Sequence, residues 1–318
     1  MRILTGIQPS GKLHWGNYFG AMKSMFDLQA KGEDMFMFIA NFHAMTTVRE
    51  GAALREATRE VALDYLACGL DPEKTIVYRQ SDVPEVQELA WYLSCLTPMG
   101  LLERCHSYKD KMAHGFEATH GLFAYPVLMA ADILIMNSDL VPVGKDQKQH
   151  LEVTRDLAQK FNNAYGDIFK LPDAYIPESV ATIPGTDGQK MSKSYHNTIE
   201  LFDASVKKKV MGIVTDSQPM EAPKEPEGNS IYELYKLFAT PEEAAEMAAS
   251  FRAGGYGYGS AKKALLSAYH RLFDPFRERR DELAKDADSL EDILREGAKK
   301  ARAVAAVQME KVRKAVGL

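Results

Sequence analysis

The sequence predicts an α/β fold in which a doubly wound parallel sheet precedes a mostly helical second domain. Short apolar runs alternate with amphipathic helical stretches through the first half of the chain, which is typical of repeated strand–helix–strand units. After about Tyr195 the strand signals disappear and helical periodicity extends to the C-terminus. A chain of 318 residues is long enough for two such domains. We expect one domain over residues 1–194 and a helical one over 195–318, with the last helix allowed to pack back on the first domain.

Four apolar segments are predicted as the strands. They are "RILTG" at the N-terminus, "MFMFIAN" at 35–41, "TIVYRQ" at 75–80 and "DLVPVG" at 139–144. A helix with an apolar stripe is predicted from Gly51 to a C-terminal cap at Gly69. In an open parallel sheet, ligands bind at the carboxyl ends of the strands. A site is therefore expected in the polar clusters that follow the strands: "GIQPSG", "NFHAM", "QSDVPE" and "GKDQKQH".

The C-terminal segment predicts a long amphipathic helix that begins near Ser289 and ends at Gly317. Gly297 lies inside the pattern and weakens this prediction slightly. The Pro-rich stretch 216–230 is typical of a loop or linker. The net charge is −5, but the residues from Ser260 onward are modestly basic. Two interpretations of that region stay open, a local contact with a polyanion and a set of solvated helix faces.

Composition disfavours several classes of protein. No apolar run approaches the length of a membrane span, so we expect no membrane association. The N-terminus "MRILTGIQPSG" lacks the apolar core of a signal peptide, which predicts a cytoplasmic protein. Cys68, Cys95 and Cys105 have no CxxC spacing, which argues against disulfides, zinc ribbons and iron–sulfur clusters. We predict no metal site built by the protein itself.

The stretch "GIQPSGKLHWGN" at 6–17 partly matches a phosphate-binding P-loop, G-x-x-x-x-G-K-[ST]. Leu13 stands where the Mg²⁺-binding hydroxyl belongs. Pro9 lacks one of the backbone N–H groups that such a loop directs at phosphate. No strand ends in a clear Mg²⁺-binding Asp of the second P-loop motif. These features disfavour a P-loop NTPase.

Two other motifs indicate a different nucleotide site. "HWGN" at 14–17 opens a helix, where Gly16 allows close approach to the backbone and the helix N-terminus favours an anion. "GTDGQKMSKS" at 185–194 places Lys190 and Lys193 so that one turn can direct both at the same anion. The first motif is weak by itself, whereas an intact KMSKS is specific. A solvated lysine-rich loop is the alternative interpretation.

Together, these motifs resemble the HIGH and KMSKS signatures of class I aminoacyl-tRNA synthetases. The resemblance implies a Rossmann-like sheet on which the two motifs flank ATP. It places the first motif against the adenine and phosphates, and the KMSKS lysines on the pyrophosphate. Asn17 replaces the last His of HIGH and keeps a hydrogen-bond donor for phosphate. Trp15 is a less usual residue at the second position, and its role is open.

Within that class, five segments are similar to the tryptophanyl-tRNA synthetase family. They are "GIQPSG", "GNYFGA", "YPVLMAADIL", "VPVGKDQKQHLE" and "KMSKS", and the terminal helix extends the likeness over nearly the whole chain. The resemblance implies activation of L-tryptophan with ATP and transfer to tRNA(Trp), releasing AMP and pyrophosphate. Mg²⁺ is expected to arrive on ATP without a dedicated protein ligand. A homodimer and an anticodon-binding helical domain are also expected.

Asp132 supplies a physical reason for the choice of tryptophan. It is the only charge in the apolar run 124–136, and a carboxylate in such surroundings needs a partner. An indole N–H is a donor and suits that need. The family resemblance places the substrate's indole nitrogen on Asp132 and Met129 against the ring. The alternative is a structural pair with an Arg or Lys from elsewhere in the chain.

The resemblance also assigns the remaining site residues. Expected in catalysis are Lys190, Lys193, Lys111, His14 and Asn17. The nucleotide is expected to contact Gln8, Pro9, Ser10, Gly16, Asn17, Gly144, Asp146, Ile183, Lys190, Met191, Ser192, Lys193 and Ser194. Tryptophan is expected to contact Asp132, Met129, Tyr125, Gln147, His43 and Gln8. Without the resemblance, "GKDQKQH" is a helix start with an acidic first turn and His43 is equally well a structural residue.

Three other functions are weighed. A tyrosyl-tRNA synthetase shares the expected fold, but that family typically has Gln at the position of Met129. A non-catalytic nucleotide-binding regulator derived from a synthetase is disfavoured because both motifs are largely intact. The P-loop NTPase is disfavoured above. No editing domain is expected, since a site built around a polar group rejects ligands that leave this group unpaired.

Overall fold

One parallel sheet organises the first part of the chain. The computed structural model describes residues 1–105, 119–144, 148–175 and 183–318. Within them the strands lie in the order β3-β2-β1-β4-β5, and all neighbours pair in parallel. The strands are β1 (Arg2–Ile7), β2 (Asp34–Ile39), β3 (Thr75–Arg79), β4 (Leu140–Pro142) and β5 (Asp173–Tyr175). This is the Rossmann-like order, and it confirms the predicted fold class.

Helices connect the strands and then form the rest of the chain. Those before the last strand are α1 (Trp15–Asn17), α2 (Lys23–Ala30), α3 (Asn41–Ala44), α4 (Gly51–Cys68), α5 (Glu85–Ser94), α6 (Met99–Glu103), α7 (His120–Ile135) and α8 (Lys148–Tyr165). Those after it are α9 (Val206–Met211), α10 (Ser230–Phe238), α11 (Pro241–Ala253), α12 (Tyr258–Lys285) and α13 (Ala287–Val316). None of the helices in the described ranges is long and apolar enough to span a membrane.

The chain divides into two compact units. The first comprises Met1–Gly11, Phe26–Glu178 and Asp286–Leu318, and the second comprises Lys12–Met25 and Ser179–Lys285. In the first unit the core lies between the sheet and the helices α5, α7, α8 and α13. Every residue of β2 after Asp34 is buried, as expected for a strand covered on both faces. The functional domain boundary expected after residue 194 stays a prediction.

Trp15 anchors the aromatic core of the second unit. Its side chain is fully buried, and its ring lies 4.8 Å from that of Phe238 and 5.4 Å from that of Tyr269, between centroids. Tyr269 in turn stacks on Phe273 at 5.2 Å. Aromatic pairs at these distances add to the stability that burial provides. Trp15 therefore packs as a core residue, which resolves the role left open by the sequence.

The last helix, α13, covers the edge strand β3 at a point where only glycine fits. It begins at Ala287, and the Asp286 side chain caps it by accepting from the Ser289 N–H at 2.9 Å. The predicted start near Ser289 was slightly late because Asp286, rather than Ser289, provides the cap. Gly297 weakened the helix prediction slightly without interrupting the apolar stripe. In the structure, a Cβ built there would lie 1.7 Å from the Val77 carbonyl oxygen, so the glycine allows α13 to approach β3.

We expect Gly297→Ala to destabilise the first unit strongly, since the added methyl group cannot fit without separating α13 from β3. The expected loss is about 3 kcal/mol in the free energy of unfolding, measured by urea denaturation followed by circular dichroism. Gly121→Ala is the matched control, because that helical glycine has open space around its Cβ position. Equal urea midpoints for the two variants would contradict the packing described for Gly297.

Candidate active site

Asp132 is the centre of a polar cluster in the first unit. It lies on α7 and is 3% exposed. Gln80 Nε2 donates to both carboxylate oxygens, at 2.8 and 2.9 Å, and His43 Nε2 lies 2.9 Å from Oδ2. Because an ionised carboxylate only accepts hydrogen bonds, Nε2 of His43 carries the hydrogen in this pair. In the part of the chain that the structure describes, these partners take the place of the Arg or Lys considered as an alternative.

The cluster is held by contacts between two short turns that follow neighbouring strands. Gln80 begins a 3₁₀ turn after β3, and its Oε1 accepts from the Phe42 N–H at 3.0 Å. Asn41 and Ser81 exchange two hydrogen bonds, at 2.7 and 3.0 Å. Gln80 therefore has a fixed side-chain orientation, with its amide oxygen on α3 and its amide nitrogen on Asp132. The sequence analysis included Gln80 in the polar cluster "QSDVPE", which was expected to contribute to a site at the carboxyl ends of the strands, but it assigned this residue no role of its own.

Among the described residues, Gln80 and His43 make three contacts with the carboxylate, which leaves capacity for one more donor. A carboxylate offers about four acceptor positions, and the three contacts from Gln80 and His43 occupy three of them. Burial raises the pKa of Asp132, while the hydrogen bonds from His43 and Gln80 oppose that rise. A buried N–H donor from a ligand would complete the set and favour the ionised form.

Other predicted tryptophan-binding residues lie around Asp132. Met129 precedes it by three residues on α7, and residues at this spacing lie on the same helix face. The Tyr125 ring meets the His43 ring edge-on, with centroids 6.0 Å apart, and its hydroxyl lies 2.5 Å from His150 Nε2. Gln8, after β1, donates to the carbonyl oxygen of His43 at 3.2 Å. The structure thus brings together Gln8, His43, Tyr125, Met129 and Asp132, whose roles toward a substrate stay predictions.

The second unit holds the two sequence motifs next to each other. His14 precedes α1, and its backbone N–H donates to Asn17 Oδ1 at 3.0 Å. The Asn17 NH₂ group makes no hydrogen bond within the described residues. The Gly16 N–H donates to Met191 Sδ of the KMSKS segment at 3.4 Å. A Cβ at Gly16 would lie 3.0 Å from the His14 ring, so this position favours glycine.

Asn197 holds the KMSKS loop in shape. Its side chain is buried, with Oδ1 accepting from the Ser192 N–H at 2.8 Å. Its Nδ2 donates to the Lys190 carbonyl oxygen at 3.0 Å and to Asp187 Oδ1 at 2.7 Å. A Cβ at Gly185 would lie 2.3 Å from the Asn197 amide, so the glycine permits this close packing. The sequence analysis missed Asn197 because nothing local distinguishes it from any other polar loop residue.

The Lys193 ammonium acts electrostatically on His14. Burial, together with the nearby Lys193 ammonium, lowers the pKa of His14 to about 4. Burial also lowers the pKa of Lys193. His14 is therefore neutral at pH 7, where its imidazole can donate one hydrogen bond while Lys193 supplies the charge. His14 Nδ1 is buried and has no hydrogen-bond partner within the described residues, which fits a site completed by a ligand.

His14 makes the stability of the protein pH-dependent. Its pKa is about 4 in the folded state against 6.5 for an ordinary His, so the unfolded chain binds more protons between these values. The free energy of unfolding contributed by this group therefore falls as the pH falls through that window. Between about pH 7 and pH 5, the free energy of unfolding should fall by about 2 kcal/mol less in His14→Gln than in the wild type. Urea titrations at each pH measure this difference. Parallel losses in the two proteins would contradict the lowered pKa.

The other residues predicted to bind the nucleotide differ in their burial and contacts. Ile183 is buried, and its carbonyl oxygen accepts from the Met191 N–H at 2.7 Å. Leu13, the residue that departs from a P-loop, is also buried, and its carbonyl accepts from the Leu201 N–H at 3.0 Å. Pro9 is buried and Gly144 partly buried, whereas Ser10, Lys190 and Ser194 are exposed. Lys111, Asp146 and Gln147 lie outside the described residues.

Comparison with known proteins identifies the family. Residues 1–274 match the model of a family described as tRNA synthetases class I (W and Y). The chain belongs to this family. As a class I synthetase, it has the Rossmann-like sheet and both motifs that its sequence predicted.

Individual relatives of this class I synthetase extend over its full length. It is 55% identical to the tryptophan–tRNA ligase of Rhodopirellula baltica, over all of both chains. It is 51% identical to a tryptophanyl-tRNA synthetase of Campylobacter jejuni, solved with ADP and tryptophan, with a TM-score of 0.94 and all of both chains covered. A tryptophanyl-tRNA synthetase structure from Mycoplasma pneumoniae matches at 31% identity and a TM-score of 0.87, covering 100% of this chain and 97% of that one.

Proposed function

We propose that the chain is a tryptophan–tRNA ligase. It activates L-tryptophan with ATP to tryptophanyl-adenylate and pyrophosphate, then transfers the tryptophanyl group to tRNA(Trp) and releases AMP. The observation that carries the specificity is the buried Asp132 carboxylate, which is held by Gln80 and His43 and retains one acceptor position for an indole N–H. The relatives named above, similar over their whole length, support the same function.

The first unit is proposed to select the amino acid. Asp132 accepts the indole N–H, and Met129 packs against the ring. Tyr125 and Gln147 bind the amino acid head, with Gln8 and His43 lining the same pocket. A phenyl ring has no donor and leaves the Asp132 acceptor unpaired, which is strongly unfavourable in a buried site, and the phenol O–H of tyrosine is proposed to lie out of reach of an acceptor placed for the indole N–H. Tyrosine and phenylalanine are thereby rejected without an editing step.

The second unit is proposed to supply most of the phosphate-binding groups. The tryptophan carboxylate is already an anion, so its in-line attack on the α-phosphate of ATP needs no general base. Lys190, Lys193 and Lys111 neutralise the charge that builds on the phosphates. Neutral His14 and the NH₂ group of Asn17 donate hydrogen bonds and orient the nucleotide.

The remaining contacts to ATP are proposed from the sequence motifs. Asp146 accepts from the ribose hydroxyls, and Gly16 and Gly144 let the nucleotide approach the backbone. The other proposed contacts are Gln8, Pro9, Ser10, Ile183, Met191, Ser192 and Ser194. No group of three candidate metal ligands occurs in the described parts of the chain. As the resemblance implies, we propose that Mg²⁺ is held by the ATP phosphates, where it would add to the charge neutralisation.

Residues 195–318 are proposed to bind the anticodon of tRNA(Trp) in the cytoplasm. The second step transfers the tryptophanyl group to the 2′-hydroxyl of the terminal adenosine. The test is charging of a tRNA(Trp) transcript with labelled tryptophan, using a tRNA(Tyr) transcript and labelled tyrosine as the matched control. Charging of tRNA(Trp) with tryptophan alone is expected. Charging of tRNA(Tyr) with tyrosine would establish the rival function, and charging of neither would favour a non-catalytic regulator.

A homodimer is proposed, and exposed apolar side chains on the neighbouring helices α5 and α6 support it. Trp91 is 68% exposed and Met99 is 63% exposed, and the exposed Cys95 lies between them in sequence. Large exposed apolar side chains in one area mark interaction surfaces. Light scattering should give the mass of two chains for the wild type and of one chain for Trp91→Glu. Val307→Glu, at a residue that is 57% exposed on α13, is the control and should remain dimeric. A monomeric wild type would contradict the proposal.

A further inference from the structure

Arg79 links the C-terminal helix α13 to the polar cluster around Asp132. Arg79 is the last residue of β3, and the next residue, Gln80, holds Asp132. The Arg79 guanidinium donates to both carboxylate oxygens of Glu291 on α13, each at 2.8 Å. Its Nε donates to Asp82 Oδ2 at 2.7 Å, so Arg79 also binds the far end of the turn that contains Gln80. A bidentate contact of this kind fixes the orientation of the two side chains as well as the distance between them.

The turn formed by Gln80, Ser81 and Asp82 is held from two sides. On one side it binds α3 through Phe42 and Asn41, and that helix carries His43. On the other side, Arg79 holds it to α13. Both hydrogen-bond partners of Asp132 therefore belong to segments whose position depends on this turn. A shift of the Arg79 side chain would move the Gln80 amide and change the geometry of the acceptor that faces the indole.

We propose that Glu291 is a positioning residue for tryptophan recognition, acting through Arg79 and Gln80 on Asp132. This proposal rests on the assignment of the indole to Asp132. Glu291 touches no proposed substrate group. It binds the Arg79 guanidinium, and Arg79 binds the turn through Asp82. The approach of α13 at Gly297, over Val77 of the same strand, places Glu291 within reach of Arg79.

The chain provides a matched control for this role. Arg302 on α13 binds Glu85 on α5, with Nη2 at 2.8 Å from Oε1, and Arg313 on the same helix binds Glu88. These ion pairs also attach α13 to the first unit, and among the described residues neither pair makes a hydrogen bond to the turn formed by Gln80, Ser81 and Asp82. Removing Arg302 therefore weakens the attachment of α13 without releasing Arg79.

The test compares Glu291→Gln with Arg302→Gln in tryptophan-dependent ATP–pyrophosphate exchange. Glu291→Gln is expected to raise the KM for tryptophan about tenfold, with kcat and the KM for ATP within about twofold of the wild type. Arg302→Gln is expected to leave kcat, the KM for tryptophan and the KM for ATP within about twofold of the wild-type values. Glu291→Asp, which retains the charge, should recover part of the loss. If Glu291→Gln fails to fold, the comparison of Glu291→Asp with Arg302→Gln replaces it.

A tryptophan analogue distinguishes positioning from a general structural effect. The benzothiophene analogue has sulfur in place of the indole N–H and cannot donate to Asp132. Its KM should therefore be the same in the wild type and in Glu291→Gln. Equal rises for tryptophan and the analogue, an equal rise in Arg302→Gln, or no rise in Glu291→Gln would each overturn the proposal. Failure of the proposed function itself would be visible separately, as a wild type without tryptophan-dependent exchange.

Discussion

Asp132→Asn is expected to raise the KM for tryptophan on the order of 100-fold in ATP–pyrophosphate exchange. The asparagine is nearly isosteric, but its NH₂ group would face donors that the carboxylate now accepts from, Gln80 Nε2 and His43 Nε2. The acceptor position proposed for the indole is then lost or turned away. Because the chemistry takes place at the phosphates, kcat at saturating tryptophan should change much less than the KM.

The control for this substitution is Asp139→Asn, which removes a carboxylate from the same unit. Asp139 accepts from Lys170 and from the Arg2 N–H, and these bonds lower the pKa of its carboxyl group. The control should lose some stability and keep the wild-type KM for tryptophan. Wild-type affinity and selectivity in Asp132→Asn would show that the indole does not contact this carboxylate.

Lys193→Met is expected to lower kcat for tryptophan activation about 100-fold, since removing one group that stabilises transition-state charge typically costs this much. Methionine keeps most of the length and the apolar stem while removing the ammonium group. The KM for tryptophan should be nearly unchanged, because the amino acid is proposed to bind at the polar cluster around Asp132. Rapid quench measurements of adenylate formation in single turnovers would separate this step from product release.

Lys208→Met provides the comparison for Lys193→Met, because Lys208 is an exposed lysine of α9 in the same unit. Its substitution should leave kcat within about twofold, as is usual for surface positions. A Lys193→Met enzyme with the wild-type rate of adenylate formation would remove Lys193 from the proposed catalytic groups. An equal loss in both variants would indicate a general charge effect instead.

The main strands were predictable because they are buried on both faces. β1, β2 and β3 are apolar runs that the sequence analysis located, although "TIVYRQ" ends as a strand at Arg79 and Gln80 begins the next turn. β5 was missed because it has only three residues, Asp173–Tyr175, and two of them are exposed. Such a strand forms by pairing with β4, and pairing over a long separation leaves no local pattern in the sequence.

The site was predictable where a residue conflicts with its surroundings. Asp132 is a charge in an apolar helix, and that conflict alone indicated a special role. Gln80 and Asn197 carry no such conflict, and their importance arises only when folding brings Asp132 or the KMSKS loop against them. Trp15 shows the opposite case. It lies inside a functional motif, yet its contacts with Phe238 and Tyr269 make it a core residue.

Amino-acid-dependent ATP–pyrophosphate exchange is the most direct measurement of the proposed function, because it reports adenylate formation without requiring a matched tRNA. The wild-type protein should exchange pyrophosphate with tryptophan and not with tyrosine, and Asp132→Asn should lose most of this preference at low tryptophan concentration. Exchange that depends on tyrosine but not on tryptophan, or no exchange with either amino acid, would contradict the function proposed here.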